Sequence, residues 1–229
     1  MRPLPPLRAA LLFLSVTVLS AATYIAPDHF DPAVALPPPP ADDSPAGRAD
    51  HETVLQVYAD LTLDQIERSR AVAAHTVFDL GASGLGDWFT AENLPASAAL
   101  LKDLTTECYR VVTVSKNHWR RPRPGVRFPE LAPPGRNPAR SFSYPSGHAT
   151  EAVVWARILE TAFPETVGRY AAEIRESAWG RVLSADHYPS DTQAGQIFGD
   201  EIAAVILASP AAVELLSTLR SEAAPFLRN

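Results

Sequence analysis

Proline decides where this chain cannot be helical. Inside a helix it removes a backbone donor and clashes with the preceding turn. Prolines crowd residues 23–49, with four in a row at Pro37-Pro38-Pro39-Pro40, and return at positions 122, 124, 129, 133, 134, 138 and 145. Elsewhere apolar residues recur at helical spacing, and no stretch alternates apolar with polar as a half-buried strand would. The pattern predicts an all-α fold, a single-domain helical bundle over 50–229. The arm or linker before it, 23–49, favours extended polyproline geometry.

Taken in order, Val54, Leu55, Tyr58 and Leu61 suggest a short helix. Thr62 and Gln65 have capping-box spacing, and a helical face runs from Ile66 through Phe78 to a stop at Gly81. Gly81 to Pro95 reads as a loop. Ser97 is placed to cap a helix carrying Leu100, Leu104, Cys108 and Val112, near whose end lies Lys116. Ser146 is placed to cap a helix to about Phe163, and a further helix spans Glu165 to Val182. Ser190 is placed to cap the next, and Ser209-Pro210 to start the last.

The N-terminus has the layout of a secretory signal, 1–22: Arg2 and Arg8, an apolar run from Ala9 to Leu19, then small residues to Ala22. The run is short for a membrane span. Export, to the periplasm or the medium, is expected, with no stable membrane span after cleavage. Loss of Arg2 and Arg8 would move the formal charge from -6 to -8. Such an acidic balance lacks the basic footprint of a nucleic-acid binder. Cys108 is the only cysteine, so the chain makes no internal disulfide, and its place on an apolar face suits a buried thiol.

Three clusters carry chemistry: Lys116 to Pro124, Pro145-Ser146-Gly147-His148, and Arg181 to Asp191. Transfer of a phosphoryl group is mostly positioning and charge stabilisation. Arginine's planar fork and lysine's point charge suit phosphate oxygens, so Lys116, Arg123 and Arg181 are candidate phosphate ligands. A helix beginning near Ser146 and Gly147 adds backbone donors and the positive end of its dipole. Two histidines can divide the labour. His187 stands four residues before Asp191, a spacing that lets a carboxylate fix its tautomer, which makes it the candidate nucleophile. His148, beside the helix start, is the candidate general acid. With ordinary histidine pKa values of ~6.5, one neutral and one charged imidazole coexist best at mildly acidic pH. His29, His51, His75 and His118 are read as structural or surface histidines. Trp119, Phe142, Tyr144 and Tyr188 are either core or a substrate wall.

In this order the clusters resemble the type 2 phosphatidic acid phosphatase superfamily, whose signature is K-x6-R-P, P-S-G-H and S-R-x5-H-x3-D. Within it, the Ser143-Tyr144-Pro145-Ser146-Gly147-His148 context and the secretory start are most similar to the bacterial class A non-specific acid phosphatases. The resemblance runs from about Asp50 to the C-terminus. It implies an all-helical fold, hydrolysis of small phosphomonoesters with no metal or other cofactor, and a phosphohistidine on His187. It further implies His148 as acid, Asp191 as the partner of His187, and phosphate contacts from Lys116, Arg123, Ser146, Gly147 and Arg181. A homodimer is also a family expectation. The chain departs from the pattern at Gly180, where the motif has serine, at Ala149, where relatives often have threonine, and in lacking a cysteine pair. Gly180 is expected to loosen its helix end. Vanadium haloperoxidases share the constellation but are usually much longer, and lipid phosphate phosphatases have several membrane spans.

Overall fold

A computed structural model describes residues 23–131 and 141–227. The expected leader, 1–22, and the prolines at 133, 134 and 138 lie outside the described residues. The described elements are all helical: α1 Pro32–Ala35, α2 Pro45–Ala59, α3 Leu63–Ala73, α4 Val77–Leu85, α5 Pro95–Trp119, α6 Pro124–Arg127, a 3-10 turn Pro129–Leu131, α7 Gly147–Ala162, a second 3-10 turn Pro164–Thr166, α8 Ala171–Leu183, α9 Pro189–Ala208 and α10 Pro210–Ala223. No single described helix is long and apolar enough to cross a membrane.

The bundle is built around α7. Ala149, Ala152, Val153, Val154, Ala156, Ile158 and Leu159 are all buried, so apolar side chains point out on several sides, as in a helix surrounded by others. Its closest neighbour is α9, and glycines permit the approach. A methyl group on Gly199 would lie 2.7 Å from the Thr150 carbonyl oxygen, and one on Gly195 would lie 2.5 Å from that of Ser146. Phe198, Ile202 and Ile206 fill the rest of the seam from α9.

The proline-rich arm packs on this core. Tyr24, Ile25 and Leu36 are buried in it. The Glu107 carboxylate accepts the Ile25 amide at 2.8 Å and the Tyr24 amide at 3.1 Å, while Arg110 donates to the Ile25 carbonyl at 2.9 Å. Where the arm was expected to run to Ala49, helix α2 has already begun at Pro45 behind the Ser44 cap.

Several ends differ from the local reading, each through a partner. The face from Ile66 to Phe78 is two helices, because Thr76 and Asp79 form a second capping box after the Thr62–Gln65 one. Gly81 does not end a helix. It lies within α4, where the Phe89 ring occupies the place of a side chain, and Gly86, at φ +105°, ends the helix instead. Ser97 caps nothing. Its amide and hydroxyl both go to Glu222, and α5 starts at Pro95 and runs unbroken through Val111 and Val112. The expected helix from Glu165 is a 3-10 turn, a bend with Gly168 at φ +80°, and then α8. Ser209 caps α10 as expected.

Candidate active site

The C-terminus of α5 delivers the first cluster. Arg120, in the left-handed region at φ 50°, ends the helix, and the chain turns so that Lys116, Arg121 and Arg123 all point inward and are buried. Lys116 Nζ donates to the carbonyls of Phe142 and Ser143 at 2.9 and 3.0 Å. Burial, then repulsion from Arg123, pulls its pKa down to about 7.

Arg123 fans over three groups. Nε donates to the Ser141 carbonyl at 2.8 Å, Nη2 to the Ser141 hydroxyl at 2.9 Å, and Nη1 to the Asp186 carbonyl at 3.0 Å. Nη1 also lies 3.2 Å from His187 Nε2. A guanidinium can only donate, so Nε2 carries the lone pair and the proton sits on Nδ1. On that side stand Ser143 Oγ at 3.4 Å and Asp191 Oδ2 at 3.5 Å.

The third cluster is formed by the end of α8 and the start of α9. The Arg181 carbonyl accepts the amides of both Asp186 and His187, each at 3.1 Å, across a turn with Ala185 at φ 52°. The Arg181 guanidinium bonds the Asp186 carboxylate, which also accepts the Ser184 hydroxyl at 2.8 Å. His187 is 2% exposed. Burial first, then Lys116, Arg123 and Arg181, hold its pKa well below the ordinary histidine value. The same three cations thus bear on one neutral imidazole.

Asp191 is 0% exposed and saturated with donors. Oδ1 takes Arg121 Nη1 at 2.6 Å; Oδ2 takes the Tyr188 amide at 2.9 Å and the Ser143 hydroxyl. Its carbonyl accepts the Ser146 amide at 2.9 Å, which fixes the start of α7. Ser146 occupies the capping position, yet its side chain makes no cap bond, and its buried Oγ has no hydrogen-bond partner among the described residues. The first bond within α7 runs from the Thr150 amide to the Ser146 carbonyl at 3.1 Å, so the amides of Gly147 and His148 open from the helix end.

His148 stands in the first turn of α7. Its Nε2 lies 3.3 Å from the Ala73 carbonyl; a carbonyl only accepts, so the proton is on Nε2. Burial, then Arg181, lowers its pKa to about 4, well under the ~6.5 of an ordinary imidazole from which a charged histidine at mildly acidic pH is expected. It shares a narrow cleft with Val72, His75, Glu151 and Trp155.

Local reading missed Asp50, Arg121 and Ser143. Arg121 lies between two predicted ligands, but one more arginine there carries no distinguishing signal. Ser190 does not cap α9. Its amide donates to Asp50 Oδ1 at 3.0 Å and its hydroxyl bonds Oδ2, while Tyr188 takes the cap position. Tyr144 and Tyr188 belong to the core. Gly180 loosens nothing: α8 continues to Leu183.

Residues 97–213 match the PAP2 superfamily. The chain is 30% identical over 194 residues to the non-specific acid phosphatase of Salmonella typhimurium, covering 82% of this chain and 78% of that protein. It is 29% identical over 195 residues to the acid phosphatase of Zymomonas mobilis, covering 77% and 70%. Among solved structures it resembles a bacterial vanadium-dependent iodoperoxidase, with a TM-score of 0.55 at 14% identity over 76% of this chain. The chain spans 52% of that structure, and the likeness bears on the fold alone.

Proposed function

This chain belongs to the PAP2 superfamily, and from that premise we propose that it is an exported acid phosphatase of broad specificity that hydrolyses phosphomonoesters through a phosphohistidine. The observation that carries the reading is the orientation of His187, with Nε2 facing Arg123 and Nδ1 facing Asp191. In the first step the Nε2 lone pair attacks phosphorus, forming an N–P bond as the ester P–O bond breaks. His148 passes its proton to the departing alkoxide. Water then attacks phosphorus, giving a proton to His148; the N–P bond breaks, its electron pair returns to His187 Nε2, and inorganic phosphate is released. Lys116, Arg123, Arg181, the Ser146 hydroxyl and the Gly147 amide hold the non-bridging oxygens, where charge accumulates. Asp191 steadies the imidazolium-like state of His187 without becoming protonated itself.

A phosphoester's negative charge opposes the pull of Arg181 and Arg123 on His148, which supports its being charged once substrate binds. Export rests on the leader pattern of Met1 to Ala22. The test is His187→Ala with an aryl monoester. Turnover should vanish while inorganic phosphate binding partly survives, and the wild type should yield an acid-labile, base-stable phosphoenzyme after rapid quench. Turnover near the wild-type rate would remove His187 as nucleophile. Vanadate should inhibit; halide oxidation with peroxide and vanadate, with no phosphatase activity, would establish the haloperoxidase reading instead.

A further inference from the structure

We propose that Asp50 and Arg121 are positioning residues for His187, forming with Asp191 a buried chain of alternating charge that fixes which imidazole nitrogen bears the proton. The inference rests on the reading of His187 as nucleophile. Asp50 comes from α2, 140 residues before Ser190 in sequence, and neither it nor Arg121 has a place in the three motif patterns.

The geometry is specific. Arg121 Nη2 bonds Asp50 Oδ2 at 2.8 Å, and Nη1 bonds Asp191 Oδ1 at 2.6 Å and Ser190 Oγ at 2.8 Å. The guanidinium carbon lies 4.1 Å from the centre of the Tyr188 ring, which limits its tilt. Asp50 is 5% exposed, Arg121 6% and Asp191 0%, so water does not screen them. Burial works against the charge on Arg121, but Asp191 and Asp50 more than offset it and its pKa is raised. An arginine held by one carboxylate alone could turn towards it or away. Held between two, it pins Asp191 Oδ1, which leaves Oδ2 directed at the Ser143 hydroxyl and at His187 Nδ1. The arrangement costs buried charge that an apolar cluster would not, and its return is the orientation of one carboxylate.

The test is Asp50→Asn, which keeps the shape and the bond from the Ser190 amide but removes the charge, beside the milder Ser190→Ala. Steady-state kinetics on an aryl monoester, binding of inorganic phosphate, and nitrogen-15 spectra of labelled histidine are measured on each. The expected result for Asp50→Asn is a fall in kcat of about tenfold or more, unchanged phosphate binding, and His187 signals that move from the single Nδ1–H form of the wild type to a mixture. Ser190→Ala lowers kcat and moves the His187 signals in the same direction by less, again with phosphate binding unchanged. Wild-type His187 signals in folded Asp50→Asn would overturn the proposal, as would a loss of phosphate binding parallel to kcat, since the pair would then act on the phosphate cradle. A wild type that never forms a phosphoenzyme would instead refute the proposed function, and the histidine spectra would still decide whether Asp50 fixes the tautomer.

Discussion

Gly195 of α9 and Ser146, at the cap position before α7, meet backbone to backbone. A methyl group on Gly195 would lie 2.5 Å from the Ser146 carbonyl and 3.1 Å from Ala149 Cβ. Neither neighbour is the flexible end of a side chain, so the helices themselves would have to part. The start of α7 is also where Ser146 and Gly147 present their donors. Packing and site geometry therefore share one crossing.

Gly195→Ala should destabilise the protein by about 1–3 kcal/mol, the usual cost of overpacking, and should also lower kcat/KM measured per folded molecule. Gly199→Ala meets the Thr150 carbonyl at 2.7 Å one turn further along. It should cost similar stability while sparing kcat/KM. Denaturant midpoints and active-site titration separate the two quantities. Equal activity losses in both variants would mean that the crossing has no privileged link to the site.

Phosphate affinity should weaken as pH rises through about 7, where burial and Arg123 place the Lys116 pKa. Above that value Lys116 becomes neutral and a cation leaves the cradle. KM for an aryl monoester that is dianionic throughout the range should rise with pH, and Lys116→Met should raise KM at low pH and flatten the dependence. A Lys116→Met profile parallel to the wild type would assign the limb to another group.

Stability should fall as pH drops from the ordinary histidine range towards 4. His148 has a folded pKa of about 4 against ~6.5 unfolded, so between these values the unfolded chain binds a proton that the native state does not. More protons on the unfolded side means stability present above the higher value and lost on the way down. The span corresponds to roughly 3 kcal/mol for this one group. Since Arg181 is the leading charge on His148 after burial, added inorganic phosphate should recover part of it. Urea midpoints at several pH values, with and without phosphate, read both effects. A His148→Asn variant with the same slope would assign the loss elsewhere.

Gly180→Ala should stabilise by about 0.5–1 kcal/mol, the usual difference inside a helix. A methyl group there would meet Ser69 Cα and Val72 Cγ1 at 3.7 Å, an ordinary contact. The thermal midpoint is the measurement, and a lower midpoint would mean that the α3–α8 seam is tighter than these distances.

What was legible in the chain was whatever local physics decides alone. Proline blocks, helical periodicity, the Thr62–Gln65 box and the Ser209 cap depend on neighbours within one turn. The errors share the opposite cause. Ser97 was claimed by Glu222, 125 residues away, and Ser190 by Asp50, 140 residues away. Both serines have ordinary capping positions, and only the tertiary fold shows that a distant carboxylate competes for them. The motif residues were legible because their spacing is itself a pattern. Asp50 was not, since it sits within α2 with no neighbour that marks it, and Ser143 was noted only as context for the Ser-Gly-His turn.

The arm has a practical consequence for anyone producing this enzyme. The Glu107 carboxylate accepts its amides at Tyr24 and Ile25, and the Tyr144 hydroxyl, two residues before Ser146, donates to the Pro37 carbonyl at 2.8 Å. A recombinant gene opened at Asp50, inside α2, would strip Glu107 of those amides and unmoor the segment leading into Ser146. Expression boundaries belong upstream of Tyr24, and an affinity tag is better joined to the other terminus.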